Sequence, residues 1–211
     1  VYFSSKSIGF YEQKEGEECD VLSVTPCGNK LGVLINVLCY PETEYASLEY
    51  SNFYVLLYNT DGVLESSTDI SSYVGAGGYV MAAAADQDGN LGMLVNTFDE
   101  STGVTAYELL TLNTSGKTVG EPPVLAFDEG FYPTSMIFAK DGSICFSGQR
   151  DKACILVMDK NGQKLFEIVD DSLEGFLYKD GDKIYCDGRE ETNGVYKPEF
   201  YEILVPEKKL G

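Results

Sequence analysis

Histidine is missing from all 211 residues. That absence removes the Ser-His-Asp triad, the Cys-His pair and every imidazole base, and with them the commonest hydrolase mechanisms. Acid–base chemistry would fall to carboxylates or tyrosine, as in glycosidases. With 34 carboxylates in the chain, pairs at catalytic separation arise by chance, so their abundance assigns no catalytic residue. Zinc loses its imidazole ligand as well, and cysteines 19, 27, 39, 145, 154 and 186 include no CxxC pair. No metal or cofactor is expected. No apolar run approaches the ~20 residues a membrane-crossing helix needs. Positive charge is scarce too: 15 basic residues give a formal net charge of −19. Such a surface repels phosphate backbones, so nucleic acid and anionic membrane are poor partners. The acidic residues are dispersed, apart from Glu15-Gly16-Glu17-Glu18. They read as a solubilising surface or, alternatively, as a dock for a cationic partner.

What is present is repetition. Leu31-Gly32-Val33-Leu34-Ile35-Asn36 recurs as Leu91-Gly92-Met93-Leu94-Val95-Asn96, each after a Gly-Asn turn. The alternation suits a strand with two different faces. A second element, Val55-Leu56-Leu57-Tyr58-Asn59-Thr60-Asp61-Gly62, matches 109–116 and 155–162, with a degraded copy at 201–208. An apolar run stopped by Asn/Asp-x-x-Gly is a strand entering a tight turn, where glycine supplies a positive φ. Further strands end in Asp86-Gln87-Asp88-Gly89, Lys140-Asp141-Gly142 and Lys179-Asp180-Gly181. The seven prolines are expected at strand ends and in loops. Four units of four strands follow, over residues 19–73, 79–127, 132–170 and 173–211. The last is expected to lack its fourth strand, with the strand-like segment 1–12 as a candidate to complete it. Packing is expected to bury Leu91, Met93 and Val95 together with Leu31, Val33 and Ile35.

Tandem four-stranded units of this length resemble the blades of a β-propeller. The reading is therefore all-β, about four blades, either a small ring or part of a larger one. A β-sandwich would give similar hairpins without the recurring turn chemistry. The WD dipeptide is excluded because tryptophan is absent, and no kelch double glycine recurs at blade spacing. The chain is most similar to the loosely defined propellers of exported bacterial proteins built on aspartate-glycine hairpins. That resemblance implies an extracellular or cell-surface location. The chain begins at Val1 rather than Met, which leaves room for a removed export signal.

Local motifs add little chemistry. Asp86-Gln87-Asp88-Gly89-Asn90 lacks EF-hand spacing and reads as a hairpin turn. The cysteines read as buried free thiols, with a Cys19–Cys27 bridge as the alternative. The segments 39–50 and 188–196 are the main insertions. In proteins of this architecture such loops share one face with the connections between blades. That would gather Tyr40, Tyr45, Tyr50, Tyr73, Phe131, Tyr132, Arg189 and Tyr196, with Tyr45 and Tyr196 as preferred anchors. Tyrosine offers an apolar body and a polar tip, suited to protein or sugar recognition. The same residues could instead cover the edges of extended hairpins. The functional expectation is a non-catalytic binding or scaffolding module for a protein, small-molecule or glycan ligand. It could be one domain of a larger solute-binding lipoprotein. A carbohydrate-active enzyme with carboxylates in a central funnel is the alternative.

Overall fold

Period-two alternation broken by glycine turns builds antiparallel meanders. A computed structural model describes residues 11–40, 48–99, 104–204 and 209–210. Sheet 1 comprises β1 (Glu17–Cys27), β2 (Lys30–Cys39), β3 (Tyr50–Asn59) and β4 (Leu64–Asp69), paired in that order. One helical turn, α1 (Ser71–Val74), leads to sheet 2: β5 (Tyr79–Ala85), β6 (Leu91–Asp99) and β7 (Val104–Leu112). Sheet 3 is β8 (Tyr132–Phe138), β9 (Ile144–Gln149), β10 (Ala153–Met158) and β11 (Lys164–Val169). Sheet 4 is β12 (Leu173–Asp180), β13 (Lys183–Thr192), β14 (Val195–Leu204) and β15 (Lys209–Leu210). The first strand of each sheet is the inner one: β1 lies against β5, β5 against β8, and β8 against β12. Among the described residues no helix is long and apolar enough to cross a membrane.

The repeated turn has one mechanism. Asn59 Oδ1 accepts from the N–H groups of Asp61 and Val63, both at 3.0 Å. Asn113 does the same for Ser115 and Lys117, and Asp159 for Asn161 and Gln163. The glycine that closes each turn, Gly62, Gly116 or Gly162, has a positive φ. A short acceptor side chain thus satisfies the N–H groups that the turn leaves without a ladder partner. Asp86 belongs to the same class. Its Oδ1 accepts from Asp88 and Asn90 N–H, and its Oδ2 from Asn90 Nδ2, so both oxygens serve the hairpin.

Three expectations are corrected. Sheet 2 has three strands, and beside β7 the chain makes only isolated bridges, Leu112 to Thr118 and Glu108 to Val124. Pro122 and Pro123 stand in that stretch and donate no N–H to a ladder. Sheet 4 does have a fourth strand from its own unit: Lys209 and Leu210 pair with Leu204 and Ile203. Of segment 1–12, the closing-strand candidate, residues 1–10 lie outside the described residues. Segment 188–196 is no loop, since β13 and β14 stay paired up to Thr192 and Val195. The two-residue turn Asn193-Gly194, both at positive φ, allows this.

The core lies between sheets. Leu34, Val55 and Leu57 of sheet 1 pack on Leu91, Met93 and Val95 of sheet 2. Leu94 and Leu109 on the other face of sheet 2 meet Ile144, Phe146 and Leu156 of sheet 3. Cys145, Ile155 and Val157 meet Leu177, Ile184 and Cys186 of sheet 4. Each fully buried aliphatic side chain contributes about 1.5–3 kcal/mol. The triplet Leu91, Met93, Val95 is buried, as are Val33 and Ile35, while Leu31 is half-buried. The two triplets do not pack together. Val33 and Ile35 lie on the opposite side of sheet 1, with Tyr58 and Tyr11. Equivalent strand faces point the same way around the assembly, so each packs on its neighbour's other face.

All six cysteines are free. Cys19 and Cys27 lie in the same strand, β1, eight steps of about 3.3 Å apart, which places them far beyond disulfide reach.

Candidate funnel mouth on the inner strands

Each inner strand carries an irregularity at one height. The register slips between Val21 and Ser23, Val80 and Ala82, Pro133 and Ser135, and Leu173 and Leu177. A bulge frees a residue from its ladder and re-aims its side chain. The freed Leu22, Met81 and Thr134 line a hollow of about 200 Å³ between three inner strands. Toward the glycine turns, all four inner strands enclose a further hollow of about 580 Å³, lined by residues including Val24, Ala84, Met136 and Leu177. Toward the opposite end, Val80 and Met81 also line a mouth of about 550 Å³ with Gly77, Tyr79, Asn96, Phe98, Thr105 and Tyr132.

Aromatic residues frame this mouth. Tyr79, Phe98 and Tyr132 are 63%, 44% and 57% exposed. Tyr79 and Tyr132 are repeat equivalents: each opens an inner strand, opposite Asn96 and Gln149 respectively. The entry to β5 requires glycine. A Cβ on Gly78 would meet the Val74 carbonyl oxygen at 2.1 Å and that of Asn96 at 2.7 Å. Asn96 also hydrogen-bonds the Tyr107 phenol, whose pKa burial raises. Deeper in, the buried Ser147 donates to the Gly175 carbonyl and ties sheet 3 to sheet 4.

Among the described residues, the linings of the three hollows contain no carboxylate, and the one charged side chain is Lys179. Its ammonium donates to the Phe138 carbonyl at 2.8 Å. At the turn end, a groove of about 370 Å³ is lined partly by charges. Lys140 is paired with Asp182 and Lys183 with Glu202, while Asp141 accepts from Ser143.

Of the eight residues singled out in the sequence, only Tyr132 lines the mouth. Tyr45 lies outside the described residues. Phe131 is 5% exposed and packs on Phe127 and on Gly148, where a Cβ would strike its ring at 2.7 Å. It is a core residue. Tyr50 donates to Glu17 Oε1 at 2.6 Å, which Tyr11 also reaches at 3.4 Å, so it latches the entry segment onto β3. That bond lowers the Glu17 pKa and raises that of Tyr50. Tyr40 is exposed at the end of β2, its N–H on the Gly16 carbonyl, and Tyr73 is exposed on α1. Arg189 and Tyr196 do come together, the guanidinium 5.0 Å above the ring, on sheet 4. Tyr79 and Phe98 were missed. The repeat held a signal for Tyr79, since it aligns with Tyr132 at the head of an inner strand.

No protein-family model matches the chain, and neither does any curated protein sequence. Solved structures do. A protein of unknown function from Dyadobacter fermentans aligns over 97% of this chain and 70% of its own, at 13% identity and TM-score 0.64. One from Bacteroides caccae, also of unknown function, aligns over 95% of this chain and 61% of its own, at 13% and 0.54. The β-propeller domain of the trilobed protease from Pyrococcus furiosus, of open velcro topology, aligns over 87% and 54%, at 8% and 0.50. The chain folds as a β-propeller. Its four sheets are the blades, and the hollows along β1, β5, β8 and β12 form the funnel. This chain spans between about half and 70% of those neighbours' lengths.

Proposed function

We propose that this chain is a non-catalytic recognition module that seats an uncharged ligand at the funnel mouth, against Tyr79, Phe98 and Tyr132. The observation that carries the reading is the funnel lining. Among the described residues of a chain with 34 carboxylates, the three hollows along the inner strands are lined by none. A glycosidase of the usual kind needs two carboxyl groups flanking the scissile bond, and the described residues place no such pair where a funnel substrate would lie. Flat aromatic faces with the Asn96 amide and the Thr105 hydroxyl suit a neutral sugar ring, and a net charge of −19 disfavours anionic ones. The mouth's volume is in the ordinary range for small-molecule sites.

The module belongs, in this reading, to an exported bacterial protein of the solute-binding lipoprotein kind, outside or on the cell surface. The architectural resemblance supports that part, and a leader sequence in the parent reading frame is its test. For the ligand, neutral oligosaccharides are screened for binding by calorimetry and for cleavage by chromatography. Binding without cleavage is expected. Release of product would establish the carbohydrate-active alternative, and a protein ligand with no glycan bound would move recognition away from sugars.

A further inference from the structure

We infer that the outward face of the fourth blade docks a further β-sheet of the same protein, beyond these four. The inference is independent of the ligand reading. Val55, Leu109, Ile155 and Phe200 occupy one register position, opposite Leu34, Leu94, Ser147 and Asp187 in their own blades, so the fourth copy sits one residue earlier than the sequence match at 201–208. The first three are 0%, 5% and 0% exposed, each within the cluster that joins its blade to the next. Phe200 is 62% exposed. Beside it the ring of Tyr178 stands edge-on at 5.5 Å, and Phe176 and Tyr196 are also open to solvent. Of the charges beside them, Lys183 pairs with Glu202 and Arg189 with Glu174, and the Asp187 carboxylate opposite Phe200 accepts from the Phe176 N–H. Aromatic residues and arginine are what the centre of a protein interface uses.

The occupant follows by elimination and by continuity. The first blade does not supply its opposite face, because Val33, Ile35 and Val37 are already buried there with Tyr11. A second copy of this chain is opposed by −19 charges on each partner. A further blade continues a junction already made three times in the same register. The solved neighbours have length for it, since this chain accounts for 54–70% of theirs.

The test places one reporter thiol on the face, in Phe200→Cys and separately in Tyr178→Cys, both in the 211-residue chain and in the full-length product of the parent reading frame. The native cysteines are buried or half-buried, so the new thiol reacts first with a maleimide probe. Labelling is expected to be at least tenfold slower in the full-length protein at both positions. Equal rates in the two proteins would overturn the inference. So would protection in the 211-residue chain caused by its own dimerisation, read by sedimentation.

Discussion

Replacing Ile155 and Phe200 by alanine, one at a time, puts the packing account to a quantitative test within a single register position. Ile155 is fully buried between the third and fourth blades, among Cys145, Val157, Ile184 and Cys186. Truncation removes three carbons and leaves a cavity in a rigid inter-blade seam, a change that costs about 2–5 kcal/mol. For a chain of this size each kcal/mol lowers Tm by roughly 2–4 °C, so a drop of about 6–12 °C corresponds to the middle of that range. Phe200 keeps 62% of its surface in water, and its ring contact is the edge of Tyr178. Its loss should cost under about 1 kcal/mol, because little apolar area is withdrawn from water. Urea unfolding followed by far-ultraviolet circular dichroism measures both, since no tryptophan is available as a probe. Equal destabilisation by the two substitutions would refute the assignment of Ile155 to a junction and of Phe200 to a free face.

Two further outcomes follow from the titratable groups. Burial pushes the Cys145 thiol up to about 12 and that of Cys186 up to about 11, so both stay protonated and inert at pH 8. Ellman's reagent at that pH should react first with the half-buried Cys19 and reach all six thiols only on unfolding; rapid labelling of Cys145 in native protein would contradict the core assignment. The Glu17 carboxylate, held below its ordinary pKa by the Tyr50 hydroxyl, stabilises the entry segment above the unfolded value and loses that effect as pH falls through its lowered pKa. Tyr50→Phe should therefore move the Glu17 titration, followed by carboxyl NMR, to higher pH. An unchanged midpoint would mean that the bond contributes nothing.

Much of the scaffold was legible because turn chemistry is local. Asn59, Asn113 and Asp159 each satisfy backbone N–H groups within four residues, so the Asn/Asp-x-x-Gly signal needs no tertiary context. The outer strands were less legible. Whether residues 113–124 pair as a strand depends on two prolines and on the neighbouring β7. A two-residue strand such as Lys209–Leu210 carries no periodicity to read. The site was the least legible part. The segments that lengthen the repeat stand out in the sequence, whereas the mouth is built at the heads of β5 and β8 by residues distant in sequence. Phe131 and Tyr132 illustrate the difficulty. They are adjacent in the chain, yet one is buried against Gly148 and the other faces the mouth, as alternation at a strand entry dictates.

Titration calorimetry of the best neutral oligosaccharide against wild type, Tyr79→Ala and Tyr132→Ala tests the recognition claim most directly. Both tyrosines are largely exposed, so neither substitution should lower Tm by more than a degree or two, at roughly ±0.5 kcal/mol for such surface sites. Each should weaken binding by about 1–2 kcal/mol, roughly five- to thirtyfold, with no sugar turned over. Undiminished affinity in both variants, or hydrolysis of the oligosaccharide by wild type, would contradict the account.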